Sequence, residues 1–260
     1  MSTSTCSNPA IQVVDSPAAI LNLLGSIENV PTLYVDLEGC PLSRHGSISI
    51  LTIYVPSLST AYIVDVHTMG KFAFTIANAA GVTLKAVLEA SQVNKVFFDV
   101  RNDSNALFHH FQVSLQGVQD LQLMELAARG KKRRLVAGLA RAIKNDSPIS
   151  KAEGMKWDQL KQSTTCLFDP RKGGRYEVFN ERPFRDGILK YCAGDVALLP
   201  GLYDVYDKKL TAEWRDRVRV ATLDRIRLSQ SASYDPNGPN KGLGPWKSLS
   251  ELPMSFFDRD

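Results

Sequence analysis

The segment Leu33–Gly39 constrains the fold of this chain more than any other stretch, because apolar and polar residues alternate along it. Its apolar members are Leu33, Val35 and Leu37. Alternation with a period of two predicts a β-strand, and residues two apart on a strand point to the same face. Asp36 and Glu38 are therefore expected to project together, about 7 Å apart along the strand.

Two carboxylates on one face of a core strand repel each other and are costly to remove from water. A divalent cation between Asp36 and Glu38 would offset both effects, and ligand sets made only of oxygens suit Mg²⁺ or Mn²⁺. The alternative is a strand end at which both acids are solvated. This stretch alone supports both interpretations, so the choice depends on the rest of the chain.

The composition is typical of a globular protein. The chain has 260 residues, 44% of them hydrophobic and 22% charged, which is enough for one domain with a full core. Its net charge of +4 permits a polyanionic partner without requiring one. The four cysteines form no Cys-x-x-Cys pair, so we expect reduced thiols and a cytoplasmic or nuclear location. Neither a membrane span nor a basic leader is indicated.

The hydrophobic pattern predicts an α/β domain. Five strands are predicted at Thr32–Leu37, Ser47–Val55, Ala61–Val66, Asn94–Phe98 and Val118–Leu121. The first three have short links, which favours an antiparallel meander. The later strands alternate with helices, which favours a mixed sheet. The predicted helices are Ala18–Leu24, Leu84–Ala90, Asn102–Phe111, Met124–Arg129, Leu135–Lys144, Lys156–Gln162, Phe184–Leu210 and Trp214–Leu228.

The domain boundaries follow from composition. Residues 1–14 are predicted to be loose, residues 15–228 to form the domain, and residues 229–260 to be a flexible tail. The tail begins with a stretch rich in Ser, Asn, Gly and Pro, which is typical of segments without a packed core.

Two further acidic positions adjoin the strand predicted at Asn94–Phe98. Asp99 ends that strand, and Asp103 opens the next helix. Either acid could face Asp36 if the two strands are neighbours in the sheet. For Asp103, a helix N-cap is the structural alternative.

The stretch around Asp195 supplies another candidate. Tyr191 and Asp195 are four residues apart and so share one face of a helix. Gly194 disfavours a helix interior by about 1 kcal/mol, which indicates close approach of another element. The neighbouring residues are largely apolar, so we expect a buried helix rather than a solvated one.

Taken together, the segments YVDLEG, NKVFFDVRNDSNAL and KYCAGDVALLPGLY resemble the three exonuclease motifs of the DEDDy 3′–5′ exonucleases. That family includes RNase D, the proofreading exonuclease domains and Werner exonuclease. All three segments occur in order within about residues 15–210. The Asp-x-Arg-x-Asp-Ser form of the second is most similar to the Egalitarian-like branch. The resemblance implies an RNase H-like fold, with a mixed five-stranded sheet flanked by helices.

The resemblance also implies a set of site residues. It places four metal-binding carboxylates at Asp36, Glu38, Asp103 and Asp195, and a water-orienting hydroxyl at Tyr191. Two Mg²⁺ or Mn²⁺ ions would activate water and stabilise the leaving 3′ oxygen. Asp36 would bridge the two ions, with Glu38 and Asp195 on one and Asp103 on the other.

Asp99 matches a second acid of the Egalitarian-like branch, and its contact with metal is left open.

Several residues are predicted to contact the nucleic acid. They are Arg101, Lys131, Lys132, Arg133, Arg134 and Tyr176. The basic run could contact phosphates or act as a nuclear address, and a solvated helix start is the alternative. Tyr176 lies in a Gly-containing loop and could stack on a base, although a plain turn explains that loop equally well.

The sequence therefore predicts a metal-dependent 3′–5′ exonuclease. It would hydrolyse phosphodiester bonds of single-stranded nucleic acid, RNA more readily than DNA, and release nucleoside 5′-monophosphates. The alternative from another class is a catalytically silent RNA-binding or adaptor module on the same fold. A nucleotide pyrophosphatase is a third possibility. Every motif position is filled, and this favours the enzyme.

Overall fold

A mixed β-sheet forms the centre of the molecule. The computed structural model describes residues 9–131 and 133–246, and within them the sheet has six strands in the spatial order β1-β4-β3-β2-β5-β6. The strands are β1 (Ala10–Val14), β2 (Thr32–Glu38), β3 (Ile50–Val55), β4 (Thr60–Asp65), β5 (Asn94–Phe97) and β6 (Val118–Asp120). Strands β2, β3 and β4 form an antiparallel meander, and β5 and β6 continue parallel to β2. The predicted meander and mixed sheet are confirmed.

The sixth strand corrects two predictions, the loose segment 1–14 for its residues 10–14 and the count of five strands. Residues Ala10–Val14 pair in parallel with Thr60–Val64 at the edge of the sheet. Of these five residues only Val14 is buried. An edge strand with so little burial carries a weak hydrophobic pattern, which is why the sequence did not reveal it.

Helices cover both faces of the sheet. They are α1 (Pro17–Ile27), α2 (Val66–Met69), α3 (Phe72–Thr75), α4 (Leu84–Glu89), α5 (Arg101–Phe111), α6 (Leu121–Ala128), α7 (Leu139–Asp146), α8 (Lys151–Phe168), α9 (Asp186–Ala197), α10 (Leu199–Lys209) and α11 (Ala212–Gln230). The predicted start of α1 is confirmed, because Ser16 Oγ accepts the N–H of Ala19 and Pro17 occupies the first helical position. None of the helices described is long and apolar enough to cross a membrane.

Three helix predictions need correction. The stretch 184–210 forms two helices, α9 and α10, and Pro200 lies in the first turn of α10, where a proline is tolerated. Helix α8 runs well beyond Lys156–Gln162 because a capping box of Ser150 and Glu153 starts it early. Helix α7 begins only at Leu139, since Leu135 instead forms a β-bridge with Leu243.

The C-terminal segment is packed onto the domain as far as it is described, so the prediction of a flexible tail is wrong for residues 229–246. Ser229 and Tyr234 are buried, and the Tyr234 hydroxyl donates to Asn102 Oδ1 at 2.9 Å. Trp246 packs edge-on against Trp214, with ring centroids 5.1 Å apart. Residues 247–260 of the predicted tail lie outside the described residues.

Candidate active site

A cleft of about 300 Å³ opens where β2 and β5 end. These strands are parallel neighbours, with Tyr34 opposite Val96, so their carboxyl ends meet at the same edge of the sheet. The lining residues include Asp36, Glu38, Asp99, Gln122, Gly138, Leu139, Lys161, Tyr191 and Asp195. The structure thus brings together four of the five predicted catalytic residues in one cleft. Asp103, the fifth, interacts electrostatically with the two acids of β2.

Strand β2 supplies the central pair of acids. In the ladder with β3, Asp36 lies opposite Thr52 and Glu38 opposite Ile50. Burial, followed by repulsion from Asp195, raises the pKa of Asp36 to about 7. Burial and repulsion from Asp36 raise the pKa of Glu38 well above its usual value. Such shifts are expected where acids share a site with too little positive charge to balance them.

Asp103 is a buried acid with one oxygen left without a partner. It lies in the first turn of α5 and is 6% exposed. Burial, together with repulsion from Asp36, raises the pKa of Asp103 well above its usual value. Its Oδ1 atom is buried and has no hydrogen-bond partner. The N-cap position of α5 is occupied by Val100, so the alternative that Asp103 caps the helix is wrong.

Asp99 has a different environment, because it is held in ion pairs. Arg101 donates to both of its oxygens, with Nε at 2.6 Å from Oδ1 and Nη2 at 2.7 Å from Oδ2. Arg225 Nη1 lies 3.6 Å from Oδ1. Although desolvation opposes it, hydrogen bonding from Arg101 and the charge of Arg225 hold the pKa of Asp99 below its usual value. Asp99 is therefore paired where Asp103 is not.

The turn between β5 and α5 is fixed by Asp120. Asp99 adopts a left-handed conformation with φ of +68°, which is uncommon outside glycine. The fully buried Asp120 carboxylate accepts the backbone N–H groups of Asp99 and Val100, and it pairs with Arg225 Nη1 at 2.7 Å. The sequence analysis did not identify this role of Arg225.

Helix α9 presents the Tyr191 and Asp195 side chains to the cleft. They are 8% and 4% exposed. Burial, with the charge of Glu38, raises the pKa of Tyr191 well above its usual value, so the hydroxyl stays protonated. Helix α8 packs over Gly194, but a Cβ there would lie at an ordinary contact distance of 3.7 Å from the Trp157 ring, so the packing does not require glycine.

Lys161 and Trp157 are site residues that sequence reasoning missed. Lys161 Nζ donates to Asp195 Oδ2 at 2.5 Å, and Trp157 Nε1 donates to Asp195 Oδ1 at 3.2 Å. They are four residues apart and so share one face of α8. The Ser150–Glu153 capping signature, followed by this spacing, could have extended the predicted helix and exposed that shared face.

The donor set of the cleft fits a divalent cation. All of its predicted ligands are carboxylates, which suit Mg²⁺ or Mn²⁺, and Asp103 offers a buried oxygen without a partner. In the described part of the chain, however, no three acidic, histidine or cysteine side chains are already grouped around one point in metal-ligand geometry. The cleft therefore has the donor chemistry of a divalent-metal site.

The predicted nucleic-acid contacts are only partly available to a strand. Arg101 is buried, and its guanidinium is bound by Asp99, Gln122 and the carbonyl of Lys241, so that prediction is wrong. Arg133 stacks over Trp214 at 4.1 Å.

The other candidates for nucleic-acid contact differ in exposure. Lys131 and Arg134 are exposed, and Lys132 lies outside the described residues. Tyr176 is exposed. Its carbonyl accepts the thiol of Cys40 at 2.9 Å, which places its backbone beside the end of β2.

This fold and site match a known family. The sequence profile of the 3′–5′ exonuclease domain matches residues 11–211, and the chain belongs to that family. A comparison with curated protein sequences gave no significant match.

The fold is shared with solved exonuclease structures. Trypanosoma brucei RNase D in complex with RNA U12 has a TM-score of 0.70 and 19% identity, covering 88% of this chain and 73% of that one. Brucella melitensis NrnC with bound Mg²⁺ gives 0.58 and 18%, covering 90% and 100%. The catalytic core of Trypanosoma brucei Rrp6 gives 0.60 and 19%, covering 89% and 54%. At these identities the likeness establishes the RNase H-like fold, as the sequence predicted.

Proposed function

We propose that the protein is a metal-dependent 3′–5′ exonuclease that shortens single-stranded RNA and releases nucleoside 5′-monophosphates. One observation carries the proposal. The acids of the three sequence motifs interact at one cleft edge, where burial and repulsion between the acids raise the pKa values of Asp36, Glu38 and Asp103. The family membership and the RNA bound to Trypanosoma brucei RNase D support the substrate class.

Each site residue has a role that its environment supports. When bound, two Mg²⁺ or Mn²⁺ ions would supply water activation and stabilisation of the leaving 3′ oxygen. Asp36, Glu38, Asp103 and Asp195 would hold them, and the Mg²⁺ bound to Brucella melitensis NrnC supports this choice of metal. Tyr191 keeps its proton because its pKa is raised, so its hydroxyl can donate a hydrogen bond that orients the attacking water.

Asp99 has no metal role in this proposal, because its oxygens already accept hydrogen bonds from Arg101. It positions the turn that leads into α5. The similarity to the Egalitarian-like branch and the cytoplasmic or nuclear location remain predictions from the sequence.

The test uses single-stranded oligonucleotides labelled at the 5′ end, as RNA and as DNA, with Mg²⁺, Mn²⁺ or EDTA. We expect the RNA to shorten one nucleotide at a time from its 3′ end, with 5′-monophosphates as products and no reaction in EDTA. A parallel strand with a blocked 3′ end should stay intact. If the protein binds RNA without shortening it in either metal, the adaptor alternative is correct. Hydrolysis of free nucleotides alone would favour the pyrophosphatase.

A further inference from the structure

A lysine side chain lies inside the cleft among the acids. Lys161 Nζ is 2.5 Å from Asp195 Oδ2. It also lies 4.9 Å from the centroid of the Tyr191 ring and 5.0 Å from that of Trp157. Ring faces attract cations at such distances. The ammonium group is therefore held by one carboxylate and two aromatic rings.

Lys161 is hydrogen-bonded to Asp195 Oδ2, a carboxylate oxygen that could bind the metal ion. Asp195 has two carboxylate oxygens, of which Oδ1 accepts from Trp157 and Oδ2 from Lys161. A divalent ion bound at Oδ2 would lie beside the Lys161 ammonium, and one bound at Oδ1 would lie beside the Trp157 indole N–H. The indole is a neutral donor fixed in a rigid ring system, whereas the ammonium carries charge on a flexible stem. Repulsion between two cations at one oxygen makes Lys161 the group that leaves.

The surroundings of Lys161 allow such a movement. Its side chain is 21% exposed, so the ammonium can reach water without a change in the backbone of α8.

We propose that Lys161 is the internal counter-ion of the carboxylate cluster and that divalent metal binding at Asp195 exchanges with it. This inference rests on the proposed function, because it assumes the metal site. Lys161 is a positioning residue in this scheme. It holds Asp195 in the metal-free protein and weakens metal binding by competing for Oδ2. Metal binding at Asp195 is then the replacement of an ammonium group by a metal ion.

The experiment measures Mn²⁺ affinity by titration calorimetry at pH 8 for the wild type, Lys161→Met, Lys161→Arg and Lys156→Met. Removing the competing charge should tighten Mn²⁺ binding in Lys161→Met by about tenfold or more, since one charge at a few ångströms is worth at least this much near a protein surface. Lys161→Arg keeps the charge and should stay within about threefold of wild type. Lys156 is exposed on the same helix, and Lys156→Met should match wild type.

Thermal melting gives a second measurement of Mn²⁺ binding that does not depend on activity and that also shows whether each variant is folded. In EDTA, Lys161→Met should melt below wild type, and Mn²⁺ should raise its melting temperature by more than it raises that of wild type. Lys161→Gln serves as a second neutral variant if the methionine variant does not fold. Mn²⁺ affinity that is unchanged or weaker in the neutral variants overturns the exchange.

The outcomes separate this inference from the proposed function. If wild type and Lys156→Met bind no Mn²⁺, the metal site fails, and the exchange fails with it. If wild type binds Mn²⁺ and the neutral variants bind it no more tightly, only the exchange fails. If the neutral variants bind more tightly but no RNA is shortened, the exchange stands and the exonuclease proposal fails.

Discussion

At the scale of single residues, the two acids that follow β5 have opposite environments although they are only four positions apart. Asp99 is paired with Arg101 and Arg225, and its pKa is lowered despite desolvation. Asp103 has a buried oxygen without a partner and a raised pKa. The sequence identified both acids, but it could not rank them, because the arginine that completes the Asp99 pairing lies on α11.

This contrast predicts different losses for two matched substitutions. Asp103→Asn removes a buried charge that lacks a partner, so exonuclease activity should fall at least a hundredfold while the melting temperature in EDTA is unchanged or higher. Asp99→Asn leaves the buried Arg101 without its bidentate carboxylate partner and should lower stability by about 2–4 kcal/mol. Melting curves and initial rates on labelled RNA measure both effects. The ranking of the two acids is wrong if Asp99→Asn keeps wild-type stability and loses the activity.

The raised pKa of Asp36 also predicts a pH dependence of stability. An unfolded aspartate titrates near about 3.9, whereas burial and Asp195 raise the pKa of Asp36 to about 7 in the fold. Between these values the folded state binds more protons than the unfolded state, so the contribution of this group is present at low pH and is lost as the pH rises through about 7.

The measurement is the melting temperature of metal-free wild type and Asp36→Asn between pH 5 and pH 8. The advantage of Asp36→Asn over wild type should grow from pH 5 to about pH 7 and level off above it. A constant difference would show that Asp36 does not titrate there.

At the scale of secondary structure, the elements with strong local patterns were predictable. Strand β2 alternates clearly, β3 and β4 are largely apolar runs, and α1 has its Ser16 and Pro17 start signals. Elements set by distant contacts were not predictable. The edge strand β1 exists because β4 offers it a partner.

The turn after β2 gives a prediction at this scale. A Cβ on Gly39 would lie 1.9 Å from the carbonyl oxygen of Ser47, and the same turn holds the Ser49 N–H to the Glu38 carbonyl at 2.8 Å. Gly39→Ala should force the backbone apart, cost about 1–3 kcal/mol of stability, and reduce activity by displacing Glu38.

The matched control is Gly25→Ala. Gly25 lies inside α1, where a Cβ would have no atom within 4 Å, so this change should stabilise the protein by about 0.5–1 kcal/mol. Chemical denaturation of both variants measures the difference. Equal stabilities would show that the turn after β2 is not closely packed.

At the scale of the whole molecule, the C-terminal segment ties distant parts of the chain together. Arg101 donates to the carbonyl of Lys241, and the Lys241 amine donates to Asn102 Oδ1. Gly244 donates its N–H to the carbonyl of Arg134. The segment thus links the start of α5 to the stretch that leads into the cleft wall at Gly138. Its composition is polar, so the sequence did not predict this packing.

Two truncations test the role of this segment. Removing all residues after Ser229 deletes the buried Tyr234 and the Trp246 ring that packs on Trp214. It should therefore cost about 3 kcal/mol or more relative to a chain that ends at Trp246, since each large aromatic ring contributes roughly 1.5–3 kcal/mol when buried. Cooperative melting at the same temperature in both truncated proteins would contradict this expectation and support the predicted domain boundary at residue 228.

The composition of the site was predictable to the extent that its residues belong to recurring segments. Asp36, Glu38, Tyr191 and Asp195 all line the cleft. Lys161 was not predicted, because it lies outside the three segments that identify the site. Its contact with Asp195 spans 34 positions and arises only when α8 packs against α9. Long-range pairs of this kind depend on the tertiary packing of whole helices.

The central claim is that the acids of the cleft act in catalysis, and one rate comparison tests it most directly. The measurement is kcat on 5′-labelled single-stranded RNA for wild type, Tyr191→Phe and Asp36→Asn, with RNA affinity measured in Ca²⁺. Asp36→Asn should lower kcat by several orders of magnitude, because metal-assisted water activation and leaving-group stabilisation are both lost. Tyr191→Phe removes only the orientation of the water and should lower kcat about ten- to a thousandfold at nearly constant affinity. A wild type that binds RNA but cuts it no faster than Asp36→Asn would contradict the account.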